Sequence, residues 1–246
     1  PHMLDVKELT FAYPGSAKGV LALRGVSCTL QEGSFTCVAG ANGSGKSTLL
    51  TLLAGLFTPR GGEITCQGRP IGQKALRETC ALMLQEAELQ VLGATVGEDL
   101  LLSVARKDVS GQERAKELAA RLHLDALWDT PVHVLSHGQK RKLCLANALL
   151  RRPKVLLLDE PLSGLDYPGL QELRALLQAQ QQAGYTLVVS THDLDPLADL
   201  ADTLLVMDKG QSVMQGTPED VLPAISNYSV RPPCSWVFSQ SIRPWS

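Results

Sequence analysis

The stretch Gly40-Ala41-Asn42-Gly43-Ser44-Gly45-Lys46-Ser47 constrains this chain more than any other. It follows the apolar run SFTCVA and opens onto STLLTLLAGL, where apolar residues recur at helical spacing and Gly55 is placed to close the helix. Strand, glycine-rich loop and helix in that order are the context that Gly-x-x-x-x-Gly-Lys-Ser requires. The glycines let the backbone curl so that successive N–H groups face phosphate oxygens, and the helix N-terminus adds positive potential. Lys46 then reaches the β and γ phosphates, and the Ser47 hydroxyl is placed to hold Mg²⁺. A glycine-rich turn with an incidental Lys and Ser is the alternative, but it leaves the flanking strand and helix unexplained. Binding of a nucleoside triphosphate is the expectation.

A second acidic element supports it. In VLLLDEP four apolar residues place Asp159 at the carboxyl end of a buried strand, the edge at which open α/β sheets bind ligands. Asp159 is expected to hold Mg²⁺, and Glu160 to take a proton from an attacking water.

Around these motifs the chain reads as alternating strands and helices. VKELTF, VSCTL and SFTCVA, separated by YPGS and QEGS, predict an antiparallel β unit that feeds a buried strand. GGEITCQGRPI is a second strand-turn-strand region, followed by the apolar run CALMLQ. Val96 to Leu150 is largely helical, with Leu101, Leu102, Ala105, Leu118, Leu122, Leu124, Leu127 and Leu143 expected to form a small core of its own. The strands VLLL and TLVVST flank the helix YPGLQELRALLQAQQQAG, which predicts a parallel sheet; TLLVMD and QSVMQ follow. Thr217-Pro218-Glu219-Asp220 has the composition of a helix start. Pro1, His2 and Met3 read as a cloning remnant at the native start, and residues 225–246 lack periodicity, which predicts either a flexible tail or a docking segment.

Composition narrows the function classes. Lys and Arg total 23 against 25 Asp and Glu, for a formal net charge of -2, so no global basic field draws the chain to nucleic acid or lipid. Hydrophobic residues make up 44%, enough for a substantial core. Cys28, Cys37, Cys66, Cys80, Cys144 and Cys234 show no Cys-x-x-Cys spacing and read as reduced thiols of a cytosolic protein. Apolar runs such as LLTLLAGLF fall far short of the ~20 residues that span a bilayer. No Cys/His grouping has zinc-ligand spacing, which leaves Mg²⁺ as the expected metal.

Leu135-Ser136-His137-Gly138-Gln139 resembles the Leu-Ser-Gly-Gly-Gln signature of the ATP-binding cassette (ABC) ATPases. Other marks of that family stand in its order. Gln85 in LMLQ resembles the Q-loop glutamine, Ser163-Gly164-Leu165-Asp166 the D-loop, His192 in VVSTHD the switch histidine, and Tyr13 in FAYPG the aromatic that stacks on adenine. The resemblance covers residues 4–222 and implies an α/β phosphate-loop NTPase (RecA-like) core with a mostly parallel sheet. An N-terminal antiparallel β subdomain and an α-helical subdomain inserted at about residues 86–152 would complete an ATPase domain spanning 4–224.

The resemblance also implies a head-to-tail dimer around two ATP molecules, a homodimer or a heterodimer with a paralogous ATPase. One subunit would supply Tyr13, the loop Gly40, Ala41, Asn42, Gly43, Ser44, Gly45, Lys46, Ser47 and Thr48, together with Gln85, Asp159, Glu160 and His192. The opposite subunit would supply Ser136, Gly138, Gln139 and Asp166. Ser47, Gln85 and Asp159 are then the Mg²⁺ ligands, and Lys46, Gln85, Glu160 and His192 the catalytic set. The stretch LQEAELQVLGATVGEDLLLS resembles the energy-coupling-factor and cobalt/nickel-type importer ATPases through Gln85, Gln90, Thr95-Val96 and Glu98-Asp99. It departs from their pattern at Glu86-Ala87-Glu88 and at Leu92. That likeness implies a stand-alone ATPase on the cytoplasmic face of the membrane. There it would receive a coupling helix of an integral membrane partner near the Q-loop. A soluble ABC ATPase that remodels a protein or cofactor-assembly scaffold is the alternative, and a monomeric phosphate-loop kinase would need neither signature loop nor His192. His137 replaces the first of the family's paired glycines. It is expected either to point away from the nucleotide, to touch phosphate or ribose, or to make dimer closure pH-sensitive.

Overall fold

The computed structural model describes residues 2–245, so Pro1 of the expected cloning remnant and Ser246 of the tail lie outside it. The chain opens with β1 (His2–Phe11) and β2 (Leu23–Gln31), which pair antiparallel, and β3 (Phe35–Ala39) follows. His2 and Met3 belong to β1: His2 pairs with Gln31, and Met3 is buried. Next come α1 (Lys46–Leu53), with Gly55 in left-handed backbone just past its end, then β4 (Gly61–Cys66) and β5 (Arg69–Pro70). β2, β1, β4 and β5 form one antiparallel sheet in that order.

The helix α2 (Gln73–Thr79) was not anticipated, because it is short and buries only Leu76, too little for a readable period. After β6 (Cys80–Met83) the expected helical stretch resolves into α3 (Val96–Leu101), α4 (Val109–Arg121) and α5 (His137–Leu150), joined by loops and two short 3₁₀ turns. α4 has an amphipathic face: Ala115, Leu118 and Ala119 are buried, and Asp108 caps its N-terminus through the Gly111 N–H.

The core of this region is not separate. Leu118, Leu122, Leu124 and Leu143 belong to one cluster with Phe35, Leu156, Leu158 and Val189 of the main sheet, while Leu102 is 61% exposed and Ala105 lies at the surface. Spacing along the chain reports which residues share a helix face. It does not report which layer that face meets.

β7 (Val155–Asp159), α6 (Tyr167–Gln182), β8 (Thr186–Thr191), β9 (Thr203–Asp208) and β10 (Gln211–Gly216) complete the second sheet, ordered β10-β9-β3-β8-β7-β6. All pairings in it are parallel except that of β10 with β9. Every residue of β3, β7 and β8 is buried, as continuous apolar runs predict for strands covered on both faces. The sheets meet where the Ser212 hydroxyl accepts from the Ser27 N–H at 3.0 Å and the Gln215 side chain from the Thr29 N–H at 3.1 Å. Cys28, Cys37, Cys80 and Cys144 are buried free thiols, and burial pushes Cys28 up to about 12.

α7 (Pro218–Val221) starts at Thr217, whose hydroxyl caps the Asp220 N–H. Beyond it, Leu222, Ile225 and Val230 enter the main core, and α8 (Cys234–Ser239) follows. The Cys234 N–H donates to Asp195 Oδ1 at 2.6 Å, and the Trp245 ring lies 5.4 Å from that of Tyr167, centre to centre. No helix of the described residues is long and apolar enough to cross a membrane.

Candidate active site

β3 delivers the chain to Gly40 at the carboxyl end of a central parallel strand, and α1 begins at Lys46. Gly45 is the cap residue at φ 102, and a Cβ there would lie 2.9 Å from Leu23 Cδ2, so backbone and packing both demand glycine. No side chain caps α1, which leaves its first N–H groups directed at whatever occupies the loop. The loop is braced from outside. Gly210 N–H donates to the Ser44 carbonyl at 2.9 Å, and Arg24 N–H to the Gly210 carbonyl at 2.7 Å. Lys46 is buried, donating to the carbonyls of Gly40 and Ala41 at 2.5 and 3.0 Å, with Nζ 4.0 Å from Glu160 Oε1. Burial pulls its pKa below the ordinary lysine value, against the opposing pull of Glu160 and Asp159.

Asp159 ends β7, and Glu160 follows in left-handed backbone at φ 46. Such a conformation persists only where its surroundings hold it. Here the Glu160 N–H is shared between the Ser190 hydroxyl at 3.0 Å and the Ser190 carbonyl at 3.2 Å. The same hydroxyl donates to Asp159 Oδ1 at 2.6 Å. His192 Nδ1 lies 3.0 Å from both Glu160 carboxylate oxygens, and the Thr191 hydroxyl pins the turn that carries it by accepting from the Asp193 N–H. Ser190 and Thr191 escaped the sequence reading because strand hydroxyls carry no motif of their own.

A cavity of about 650 Å³ is lined by Asn42, Gly43, Gly45, Lys46, Ser47, Gln85 and Glu160, whereas Asp159 and His192 do not line it and meet it through Glu160 and Ser190. Tyr13 stands at its edge, its hydroxyl 2.8 Å from Thr48 Oγ1 and its ring set edge-on against Phe11 and Phe57. Arg24 and Lys209 line it too, cationic residues that no sequence signal marked. The volume suits a nucleotide. Ser44 Oγ is buried without a partner among the described residues, an unused polar group inside the loop. Ser47, Gln85 and Asp159 offer hydroxyl, amide and carboxylate oxygens, the hard donor set that suits Mg²⁺.

Ser136, Gly138, Gln139 and Asp166 lie elsewhere. They line a second cavity of about 360 Å³ that shares no lining residue with the first. Ser136 and Gln139 form a reciprocal capping box at the start of α5, and Asp166 caps α6 by accepting from the Gly169 N–H at 3.0 Å.

The family model described as ABC transporter matches residues 23–163. The cobalt import ATP-binding protein CbiO of Rhodobacter capsulatus is 38% identical over 94% of this chain and 85% of its own length. This chain belongs to the ABC transporter ATP-binding family. Among solved structures, cbiO1 of Clostridium perfringens, described as part of the ABC transporter complex cbiONQ, superposes with a TM-score of 0.81 at 33% identity, covering 90% of this chain and 91% of that one. The ATP-binding cassette MJ0796, solved as a dimer in a post-hydrolysis state with ADP and Pi, gives 0.77 at 25% identity over 88% and 99% of the two chains. The protein is therefore an ABC ATPase of the transport-coupled kind, and dimeric structures occur among its relatives.

The stretch after Gln85 in this ABC ATPase is built by its own side chains. Gln90 accepts from Leu84 N–H at 2.7 Å and donates to the Leu82 carbonyl at 2.9 Å, which clamps the backbone leading into Gln85. Asp99 is buried, accepting from Leu92 and Gly93 N–H, both at 2.7 Å, and from Asn147 Nδ2 at 2.6 Å. Thr95 caps α3 through Glu98 N–H, and Glu98 accepts from the Ala94 N–H. Together these bonds present Leu92, 81% exposed, at a surface cavity of about 510 Å³ that it lines with Leu101, Leu102 and Val104; Leu89 is 67% exposed and lies outside that lining.

Proposed function

We propose that this chain is the ATP-hydrolysing subunit of a micronutrient importer, moving a metal ion or a vitamin-type cargo. Two cassettes, either identical or paralogous, close head to tail around two ATP molecules at the cytoplasmic face of the membrane. The observation that carries the dimer is the separation of the two cavities. Lys46, Ser47 and Glu160 lie in one and Ser136 and Gly138 in the other, so a second subunit is needed to bring both sets to one γ-phosphate. The likeness to a cobalt-import ATPase supports the cargo class.

In the closed dimer Tyr13 stacks on adenine, and the loop from Gly40 to Thr48 cradles the phosphates, with Asp166 at the shared interface. Lys46 stabilises charge on the transferring phosphoryl group. Glu160 orients and deprotonates the attacking water, and His192 holds the Glu160 carboxylate in place. Ser47, Gln85 and Asp159 would hold Mg²⁺, which neutralises charge on the phosphate oxygens when bound. The groove lined by exposed Leu92 receives an apolar helix of the membrane subunit, with exposed Leu89 on the preceding turn, so that closing and opening of the dimer moves that helix.

Mixing two inactive variants tests the shared site. Lys46→Ala spoils one cavity and Ser136→Arg the other, yet a mixed dimer keeps one intact composite site. Phosphate release that reappears on mixing supports the reading; a mixture as inert as its components overturns it.

A further inference from the structure

His137 does not line the nucleotide cavity; its side chain is 76% exposed and makes an ionic contact across the surface. It is the first residue of α5, and its Nδ1 lies 3.2 Å from Glu88 Oε1. Lys140, three residues along the same helix, approaches the same oxygen at 3.5 Å. Glu88 belongs to the short 3₁₀ turn Ala87–Leu89, which follows Gln85. That turn is seated on α5, where Ala87 is buried and its carbonyl accepts from the Cys144 thiol at 3.5 Å. Its outer residue, Leu89, is exposed. The Glu88 backbone N–H first, and then Lys140 and His137, hold the Glu88 carboxyl below the usual carboxylate range. A carboxylate beside the N-terminus of α5 also meets the favourable end of the helix dipole.

We propose that Glu88 and His137 form a latch between the segment after Gln85 and the loop bearing Ser136 and Gly138. His137 is a positioning residue within it. A glycine at 137 has no side chain to make this contact, so the device belongs to this chain's departure from the Leu-Ser-Gly-Gly-Gln pattern. Displacement of Leu89 by a partner moves Glu88, and Glu88 moves the tip of α5 through His137 and Lys140. Because that tip serves the ATP held by the opposite subunit, the latch sets how readily ATP closes the dimer. This inference rests on the head-to-tail reading of the site.

The test measures the ATP concentration at which Glu160→Gln protein dimerises, by analytical ultracentrifugation, with phosphate release measured on proteins that retain Glu160. Exposed ion pairs of this kind shift equilibria by up to about fivefold. His137→Ala and Glu88→Gln each raise the ATP midpoint by about two- to fivefold, while the maximal hydrolysis rate per dimer stays within about twofold. The double variant matches Glu88→Gln, because one removed partner empties the latch for both. His137→Lys, which restores a cation, returns the midpoint toward the parent value. Additive effects, or unchanged midpoints in both single variants, would overturn the latch alone. Failure of the parent Glu160→Gln protein to dimerise with ATP would overturn the head-to-tail reading as well.

Discussion

The Ser190 hydroxyl donates a 2.6 Å hydrogen bond to Asp159 Oδ1. It also accepts from the Glu160 N–H at 3.0 Å, so one buried side chain positions both acids of the site from the neighbouring strand. Ser190→Ala leaves a buried carboxylate oxygen short of a donor, at a cost of about 1–3 kcal/mol in folding stability. Urea unfolding should show that loss, and phosphate release should fall further than ATP affinity, because the geometry of Glu160 loosens while the Gly40–Ser47 loop is untouched.

Glu160→Gln removes the proposed proton acceptor and keeps the side-chain volume. Phosphate release is expected to fall about a hundredfold or more. The variant still binds ATP and dimerises in size-exclusion runs, and near-normal turnover would contradict the role assigned to Glu160.

Asp99→Ala deprives the Leu92 and Gly93 N–H groups and Asn147 of their shared acceptor. A stability loss of about 2–3 kcal/mol follows from leaving such groups unpaired. Hydrogen exchange should localise it to the segment 90–94, and binding to the proposed membrane partner should weaken more than ATP binding.

Glu172 accepts from Lys142 at 2.9 Å and from His123 at 3.1 Å. Burial raises its pKa, but the hydrogen bonds from Lys142 and His123 outweigh that and hold it below the usual carboxylate range. A folded-state pKa held down gives stability that is fully present above the unfolded-state value and is lost as pH falls through the folded one. The melting-temperature gap between the parent and Glu172→Gln should therefore be constant near neutrality and close in acid.

Deleting residues 226–246 removes buried Val230, partly buried Trp236 and the bonds from Cys234 to Asp195 and from Trp245 to Asp199. The melting temperature should drop by about 5–10 °C. ATP affinity should change by less than about twofold, since none of these residues lines the nucleotide cavity. A deletion that leaves the melting temperature unmoved would mean that the tail only rests on the surface.

The loop from Gly40 to Ser47 and the run VLLLDE were legible because each encodes its geometry locally: glycine tolerates the left-handed backbone at position 45, and an unbroken apolar run announces a strand covered on both faces. Chemistry at strand ends can be read in the same way. Arg24 and Lys209 were not legible, since they reach the cavity only after β2 and the turn past β9 converge on the loop. α2 was missed because it is too short to show a period, and the helical region's core merged with that of the sheet because packing, unlike periodicity, is decided between elements.

The sequence by itself determined the order of the motifs, the phosphate-binding loop, the acids at the end of a buried strand and the family. Those depend on residue types at short spacings, which local sterics and hydrogen bonding make readable. Only the tertiary structure decided that Ser190 ties Asp159 to Glu160, that Gln90 and Asp99 shape the exposed Leu92 turn, and that His137 reaches Glu88. Each of those contacts joins residues whose partners are chosen by how strands and helices pack, and packing is a property of the whole chain.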